Sequence, residues 1–217
     1  MVSNRSIKDT LYEQVARITN ALASPKRLEL LELLCQAPQS VEALATGLGI
    51  SVKLASAHLK ALRTSQLVQT ERQGKYIIYR IASAQVPGLL AMLRTLAEDR
   101  LLELQLAVQH LAASTHEWQG EGPDGLIRKA SQGEVVVIDV RPAREFDHRH
   151  LPHARSLPLA ELRQRLAELP PGLPVVAYCR GPYCLMSADA VRILQAHGFE
   201  ASQLREGISA WTTAELT

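Results

Sequence analysis

At 217 residues, 47% hydrophobic and 21% charged, the chain has room for two small domains, each with its own core. No apolar run nears the ~20 residues of a membrane span, and the N-terminus lacks the apolar stretch of a signal peptide, so neither a membrane nor an exported protein is expected. Three cysteines are too few for a disulfide framework and point to a reducing cytoplasm. The net charge of +2 is unevenly placed. Residues 1–118 hold 13 basic and 10 acidic side chains, residues 119–217 hold 11 and 12. Between 50 and 80, Lys53, Lys60, Arg63, Arg72, Lys75 and Arg80 stand against Glu71 alone. Such a patch suits a phosphate backbone.

In chain order, Ile7, Leu11, Val15, Ile18 and Leu22 recur at helical spacing and predict a first helix. Ser24-Pro25 reads as an N-cap with proline at the first helical position, opening a second helix that stops near Ala37-Pro38. Ser40 is placed to cap a third, Val41 to Leu48, ended by Gly49, and Ser51 to cap a fourth, Val52 to Ser65. Two short helices about Leu48-Gly49-Ile50-Ser51 make a helix-turn-helix pattern. In the second, Leu54, Ala55, Leu59 and Leu62 are assigned to the core, leaving Lys53, Ser56, Ala57, Lys60 and Arg63 outward. Strand-like runs Leu67–Arg72 and Tyr76–Ile81 flank Gln73-Gly74-Lys75 and predict a β-hairpin with a basic tip. From about Ala84, a stripe of Leu90, Leu93, Ala97, Leu101, Leu104, Val108 and Leu111 predicts one long helix that needs a partner.

The segment Ile50 to Leu62, with Gln66-Leu67-Val68, Arg72-Gln73-Gly74-Lys75 and Tyr79, resembles the recognition helix and wing of the ArsR family of winged-helix repressors. The resemblance covers about residues 8–118. It implies a homodimer formed by the first and last helices of that domain and bound to a double-stranded DNA operator. It implies DNA contact by Lys60, Arg63, Arg72 and Lys75, with Ser51, Lys53, Ser56 and His58 adding contacts to phosphates or base edges. Many members sense metals through cysteine pairs or His/Asp sets. Here Cys35 is a lone thiol in a leucine-rich helix, and His110 and His116 do not share a helix face, so no metal is expected.

Gln119 to Gly125 breaks all periodicity and is read as the domain boundary: a winged-helix domain over 1–118, a linker over 119–124 and a second domain over 125–217. Beyond it, Val135 to Val140 is a β-branched run suited to a buried parallel strand. A helix about Leu162, Leu166 and Leu169, a strand Leu173 to Tyr178, a helix Ala188 to His197, a strand Ala201 to Leu204 and a helix Gly207 to Ala214 follow. The alternation implies a small parallel α/β sheet.

Four ordered motifs in this half resemble the rhodanese (sulfurtransferase) domain. They are Ile138-Asp139-Val140-Arg141 with Glu145-Phe146, His150 to Ala154 with Leu157-Pro158-Leu159, Val176 to Arg180, and Leu204 to Trp211. Arg149, His153 and Glu206 stand where that family usually has glycine, and Cys184 replaces the basic residue often found at the sixth loop position. The predicted fold class is therefore multidomain: an α+β winged helix-turn-helix with a long dimerisation helix, then an α/β rhodanese-like parallel sheet.

Cys179, at the end of a buried strand in a loop that opens a helix, is the candidate nucleophile. Loop residues Gly181, Pro182 and Tyr183 would cradle a persulfide on it, and Arg180 would add charge or anchor the loop. The alternative is a small buried hydrophobe in an inert domain. A phosphatase or arsenate-reductase reading fails because Leu185 stands where its anion-binding arginine belongs. Cys184 either resolves or relays the sulfur, or only lines the pocket. His148, His150 and His153 with Asp147 read as surface residues and a turn hydrogen bond rather than a metal site. The expectation is a cytoplasmic regulator, a repressor, that takes sulfane sulfur from thiosulfate or a persulfide on Cys179, without a cofactor. Its rivals are a sulfurtransferase whose DNA-binding domain is uncoupled from the chemistry, and a repressor with an inert second domain.

Overall fold

The computed structural model describes residues 4–113, 116–120 and 122–211. It divides into two compact units, Met1–Leu96 and Ala97–Thr217.

The first unit opens with α1 (Asn4–Leu22) and α2 (Pro25–Gln36). Ser24 holds the N-cap position of α2, but its side chain makes no capping bond, so the start rests on Pro25 alone. A two-residue strand, β1 (Gln39–Ser40), precedes α3 (Val41–Leu48). The Ser40 hydroxyl accepts from the Ala43 N–H, and Gly49 ends α3 in the left-handed region at φ 62°. Helix α4 (Val52–Thr64) starts on Ser51, whose hydroxyl accepts from the Leu54 N–H. The hairpin β2 (Val68–Gln73) and β3 (Tyr76–Ile81) pairs antiparallel, and β1 adds to the free edge of β3. The core gathers Leu30, Leu31, Leu34, Leu44, Leu59, Leu62 and Val86.

Two expectations fail here. Leu54, assigned to the core, is 44% exposed. The buried stripe of α4 is Ala55, Leu59 and Leu62, and Leu54 lies in the first turn at the edge of that stripe. The long helix from Ala84 is two helices, α5 (Gln85–Arg100) and α6 (Leu102–Ala113). The Gln105 side chain donates to the Glu98 carbonyl (2.7 Å), the acceptor that the Leu102 N–H would use in an unbroken helix.

In the second unit α7 (Gly122–Ser131) is followed by β4 (Val136–Asp139), α8 (Ala143–His148) and β5 (Arg155–Ser156). Then come α9 (Leu162–Arg165), running on as a 3-10 turn to Glu168, β6 (Val175–Tyr178), α10 (Met186–Ala196) and β7 (Ala201–Leu204). All four strands are parallel, in the order β5-β4-β6-β7. Sequence periodicity missed β1, β5 and α8, all short, and α7, which opens inside the stretch read as linker and packs Leu126, Ile127 and Ala130 into the core. The last helix, expected over Gly207–Ala214, is a 3-10 turn over Gly207–Ala210, and Thr212 to Ala214 lie outside the described residues.

Strand alternation decides which side of this sheet each side chain serves. Val136, Ile138, Val175, Ala177 and Cys179 pack with Leu162, Ala190, Val191 and Leu194 on the face covered by α9 and α10. Val135, Val137, Val176 and Tyr178 pack with Leu126, Leu151, Ile208 and Trp211 on the other. Burial on both faces explains why the strands read as continuous apolar runs.

Candidate functional site

The chain presents two candidate sites, one in each unit. In the first, Lys53, Lys60 and Arg63 are exposed on α4, with Ser56 and His58 half-buried beside them. Ser51 is exposed, but its hydroxyl is committed to the Leu54 N–H as the helix cap. On the hairpin, Arg72 Nε donates to the Gly74 carbonyl (3.1 Å), and Lys75 Nζ lies 5.2 Å from the Tyr76 ring centroid. Arg17, which the sequence reading passed over, donates to the Thr64 carbonyl (3.1 Å) at the C-terminus of α4 and fixes that helix against α1.

The second site is the loop between β6 and α10. Strand parity sends Cys179 toward α10, and the loop brings Cys184 back onto it. The two form a disulfide across a Cα separation of 6.4 Å. Cys179 is buried and Cys184 half-buried. A turn closed by the Cys184 N–H on the Gly181 carbonyl (3.0 Å) sets that geometry. The Ser187 hydroxyl, in the first turn of α10, donates to Cys179 Sγ at 3.7 Å. Gly207 seals the other side at φ 55°. A Cβ there would stand 2.5 Å from the Cys179 carbonyl oxygen and 2.7 Å from the Gly181 nitrogen, so only glycine fits. The adjacent Ile208 N–H donates to the Cys179 carbonyl at 3.0 Å.

Ion pairs hold this loop from beneath. Arg180 forks onto Glu145 through Nε (3.0 Å) and a terminal nitrogen (2.7 Å), and the Glu145 side chain is fully buried. The guanidinium is thus engaged by a carboxylate on α8 and fixes the loop to that helix. Asp139 and Arg141, both fully buried, make a second pair. Asp139 accepts from the Arg141 N–H (2.9 Å), Nε (3.0 Å) and a terminal nitrogen (2.6 Å), which also donates to the Arg149 carbonyl (2.7 Å). Tyr178 Oη accepts from the Leu151 N–H (3.1 Å). Burial, with Asp139 nearby, raises its pKa well above the ordinary tyrosine value, so Tyr178 is neutral. Tyr183 Oη donates to Glu98 Oε1 (2.6 Å), both within the second unit.

The histidine cluster does not converge. His150 stacks on Phe146 with centroids 3.8 Å apart, and its Nδ1 lies 2.9 Å from the Phe146 carbonyl oxygen. Among the described residues no three His, Cys, Asp or Glu side chains are grouped to hold a metal ion. Cys35, half-buried on α2, stands outside the disulfide.

The structure therefore brings Cys179, Arg180, Gly181, Pro182, Tyr183 and Cys184 into one loop, and adds Glu145, Ser187 and Gly207 to it. Ser187 had a legible signal. It falls on the stripe of Ala190, Val191 and Leu194, three, four and seven residues on, which made it a buried polar residue in advance.

Comparison with known proteins agrees with both halves. Residues 24–70 match the arsR family of bacterial regulatory proteins, and residues 123–214 match the rhodanese-like domain. The HTH-type transcriptional regulator Rv0324 of Mycobacterium tuberculosis is 40% identical over 216 residues, spanning 100% of this chain and 95% of that protein. A sulfurtransferase of Allochromatium vinosum is 33% identical over 84 residues, 39% of this chain and 78% of that one. A solved winged helix-turn-helix fragment from Mycobacterium bovis, described as a homodimeric DNA-binding domain, is 42% identical and covers 46% of this chain and 92% of its own, with a TM-score of 0.43. This chain belongs to the ArsR family of transcriptional regulators, in a form fused to a C-terminal rhodanese-like domain.

Proposed function

We propose that this regulator represses transcription as a cytoplasmic homodimer on operator DNA and takes sulfane sulfur onto Cys179. In this reading residues 1–118 bind DNA and dimerise, 119–124 link, and 125–217 carry the sulfur chemistry. The observation that carries the proposal is the loop itself. A cysteine at the carboxyl end of a central parallel strand is held beside a second cysteine, by a hydroxyl donor and a glycine that admits no side chain.

The chemistry balances with a donor such as thiosulfate. The Cys179 thiolate attacks the sulfane sulfur, a new S–S bond forms, and the donor's S–S bond breaks with its electron pair leaving on sulfite. Cys184, with its proton, can then attack Cys179 Sγ. That yields the Cys179–Cys184 disulfide and hydrosulfide, which carries away the outer sulfur and the proton. The proximity of the two cysteines supports Cys184 as this resolving thiol.

Dimerisation draws on an apolar surface without intrachain cover. Ile7, Leu11 and Val15 on α1 are 49–64% exposed, and Met92 and Leu96 on α5 are 72% and 56% exposed. Lys53, Lys60 and Arg63 on α4, with Arg72 and Lys75 on the hairpin, are the cations available to phosphates. Ser56 and His58 would add hydrogen bonds to phosphates or base edges, and Ser51 contributes by capping α4.

The test pairs two measurements on the full chain. Mass spectrometry of the reduced protein after thiosulfate or polysulfide should add one sulfur to the Cys179 peptide, and none in Cys179→Ser. Operator titration at fixed salt should give different affinities for reduced and sulfur-treated protein. An unmodified Cys179 sinks the sulfur reading. Equal affinities leave the second reading, supported by the likeness to a sulfurtransferase: an enzyme whose DNA-binding domain is not coupled to transfer.

A further inference from the structure

Ser187, at the start of α10, touches the disulfide but has no step of its own in the sulfur transfer described above. Ser187 is 2% exposed, on the face of α10 that otherwise buries alanine, valine and leucine. A buried hydroxyl needs a partner, since leaving it without one costs about 1–3 kcal/mol. As the second residue of α10, Ser187 has no helical carbonyl four residues back on which a mid-helix serine would satisfy itself. Ser187 instead donates to Cys179 Sγ at 3.7 Å, and the sulfur is its one partner among the described residues. A disulfide sulfur is a weak acceptor and a thiolate a strong one. The contact therefore gains strength when Cys179 carries negative charge.

We propose that Ser187 is a positioning residue that stabilises the Cys179 sulfur as a thiolate, and so makes Cys179 rather than Cys184 the sulfur that leaves and then accepts. This deepens the sulfur-transfer reading and rests on it for its biological meaning. It also assigns a direction to the opening of the loop. Cys179 is 1% exposed and Cys184 half-buried, so an incoming low-molecular-weight thiolate meets Cys184 first. A bond forms between the incoming sulfur and Cys184 Sγ. The Cys179–Cys184 bond breaks, and its electron pair departs on Cys179 while the Ser187 proton stays on oxygen. Exchange favours the leaving thiol with the lower pKa, and the hydroxyl lowers that of Cys179 alone.

The experiment uses the full chain with Cys35→Ser and Cys184→Ser, leaving Cys179 as the one thiol. Its titration is followed by ultraviolet thiolate absorbance against a chain lacking all three cysteines. Adding Ser187→Ala should move the midpoint upward by about one pH unit, the equivalent of one hydrogen bond to a charged group. Ser187→Thr, which keeps a hydroxyl, should stay near the parent midpoint. Superimposable curves for serine and alanine overturn the proposal. So does a threonine curve displaced as far as the alanine one, which would trace the effect to volume instead of the hydroxyl. No sulfur donor is present, so failure here is separate from failure of Cys179 to take up sulfur.

Discussion

The recognition helix and the cysteine loop are built on opposite principles. On α4, the candidate DNA-contacting cations point outward and none is needed by the core, which Ala55, Leu59 and Leu62 supply from the other face. In the cysteine loop, the charges lie underneath: Arg180 on Glu145, Arg141 on Asp139, with three of the four side chains fully buried and Arg180 at 15% exposure. A DNA surface keeps its cations hydrated until phosphates replace the water. A sulfur cradle needs a fixed backbone, and buried ion pairs fix it. Substitutions of the cations at the first site should therefore alter DNA binding without altering stability, and those of the buried charges at the second should alter both the sulfur chemistry and stability.

The largest effect that tests this contrast is expected from Asp139→Ala. It strands the Arg141 guanidinium in a fully buried position, and should lower the stability of the second unit by about 3–5 kcal/mol. Both tryptophans, Trp118 and Trp211, pack in the core of that unit, so denaturant unfolding followed by tryptophan fluorescence reports on it. Glu145→Ala is expected next, at about 1.5–3 kcal/mol. Arg180 is slightly exposed and can turn partly to water, which softens the loss. The same variant should slow sulfur uptake at Cys179, because the loop loses its anchor. An unchanged uptake rate would detach Glu145 from the site.

Ser51→Ala should cost the first unit about 1 kcal/mol, the worth of a formed N-cap, read from far-ultraviolet circular dichroism during unfolding. Ser24→Ala should cost almost nothing by the same measurement, because its side chain makes no capping bond. Lys75→Ala and Arg63→Ala should leave stability within about 0.5 kcal/mol, while each reduces the salt slope of operator binding by about two, one for each copy in the homodimer. A large stability loss at either position would erase the contrast between the two regions.

A pH effect concerns His148, exposed on α8, whose pKa is lowered from 6.5 by partial desolvation, helped by the positive charges of Arg149 and Arg141. Its native state resists protonation, so the unfolded chain takes the proton first as pH falls. The associated stability is present above pH 6.5 and is lost as pH falls through the lowered native value. His148→Asn should flatten that part of the stability–pH curve just below pH 6.5. A curve that keeps its slope would place the titration elsewhere.

Local chemistry made the first unit legible. Ser40, Gly49 and Ser51 act through atoms a few residues away, so caps and stops follow from the letters alone, and the α3 bounds come out as expected. The failures have local causes too. Ser24 has the right side chain without the bond, and the Gln105 side chain takes a helix carbonyl that no periodicity reveals. In the second unit, the strand runs and the order of motifs were legible because burial on both faces leaves continuous apolar stretches. So was the place of Cys179, between a strand and a helix.

What tertiary structure alone decided is which groups surround that sulfur. Glu145 meets Arg180 across 35 residues, and Gly207 closes on Cys179 from the turn that follows β7. Whether Cys184 reaches Cys179 depends on a turn whose geometry five letters do not specify. The sequence by itself carried the resemblance to two families in its ordered motifs, and placed the two cysteines and the buried stripe of α4 except Leu54, because those follow from spacing along one element. The contacts that give the loop its chemistry join elements distant in sequence, and only the folded sheet brings them within bonding distance.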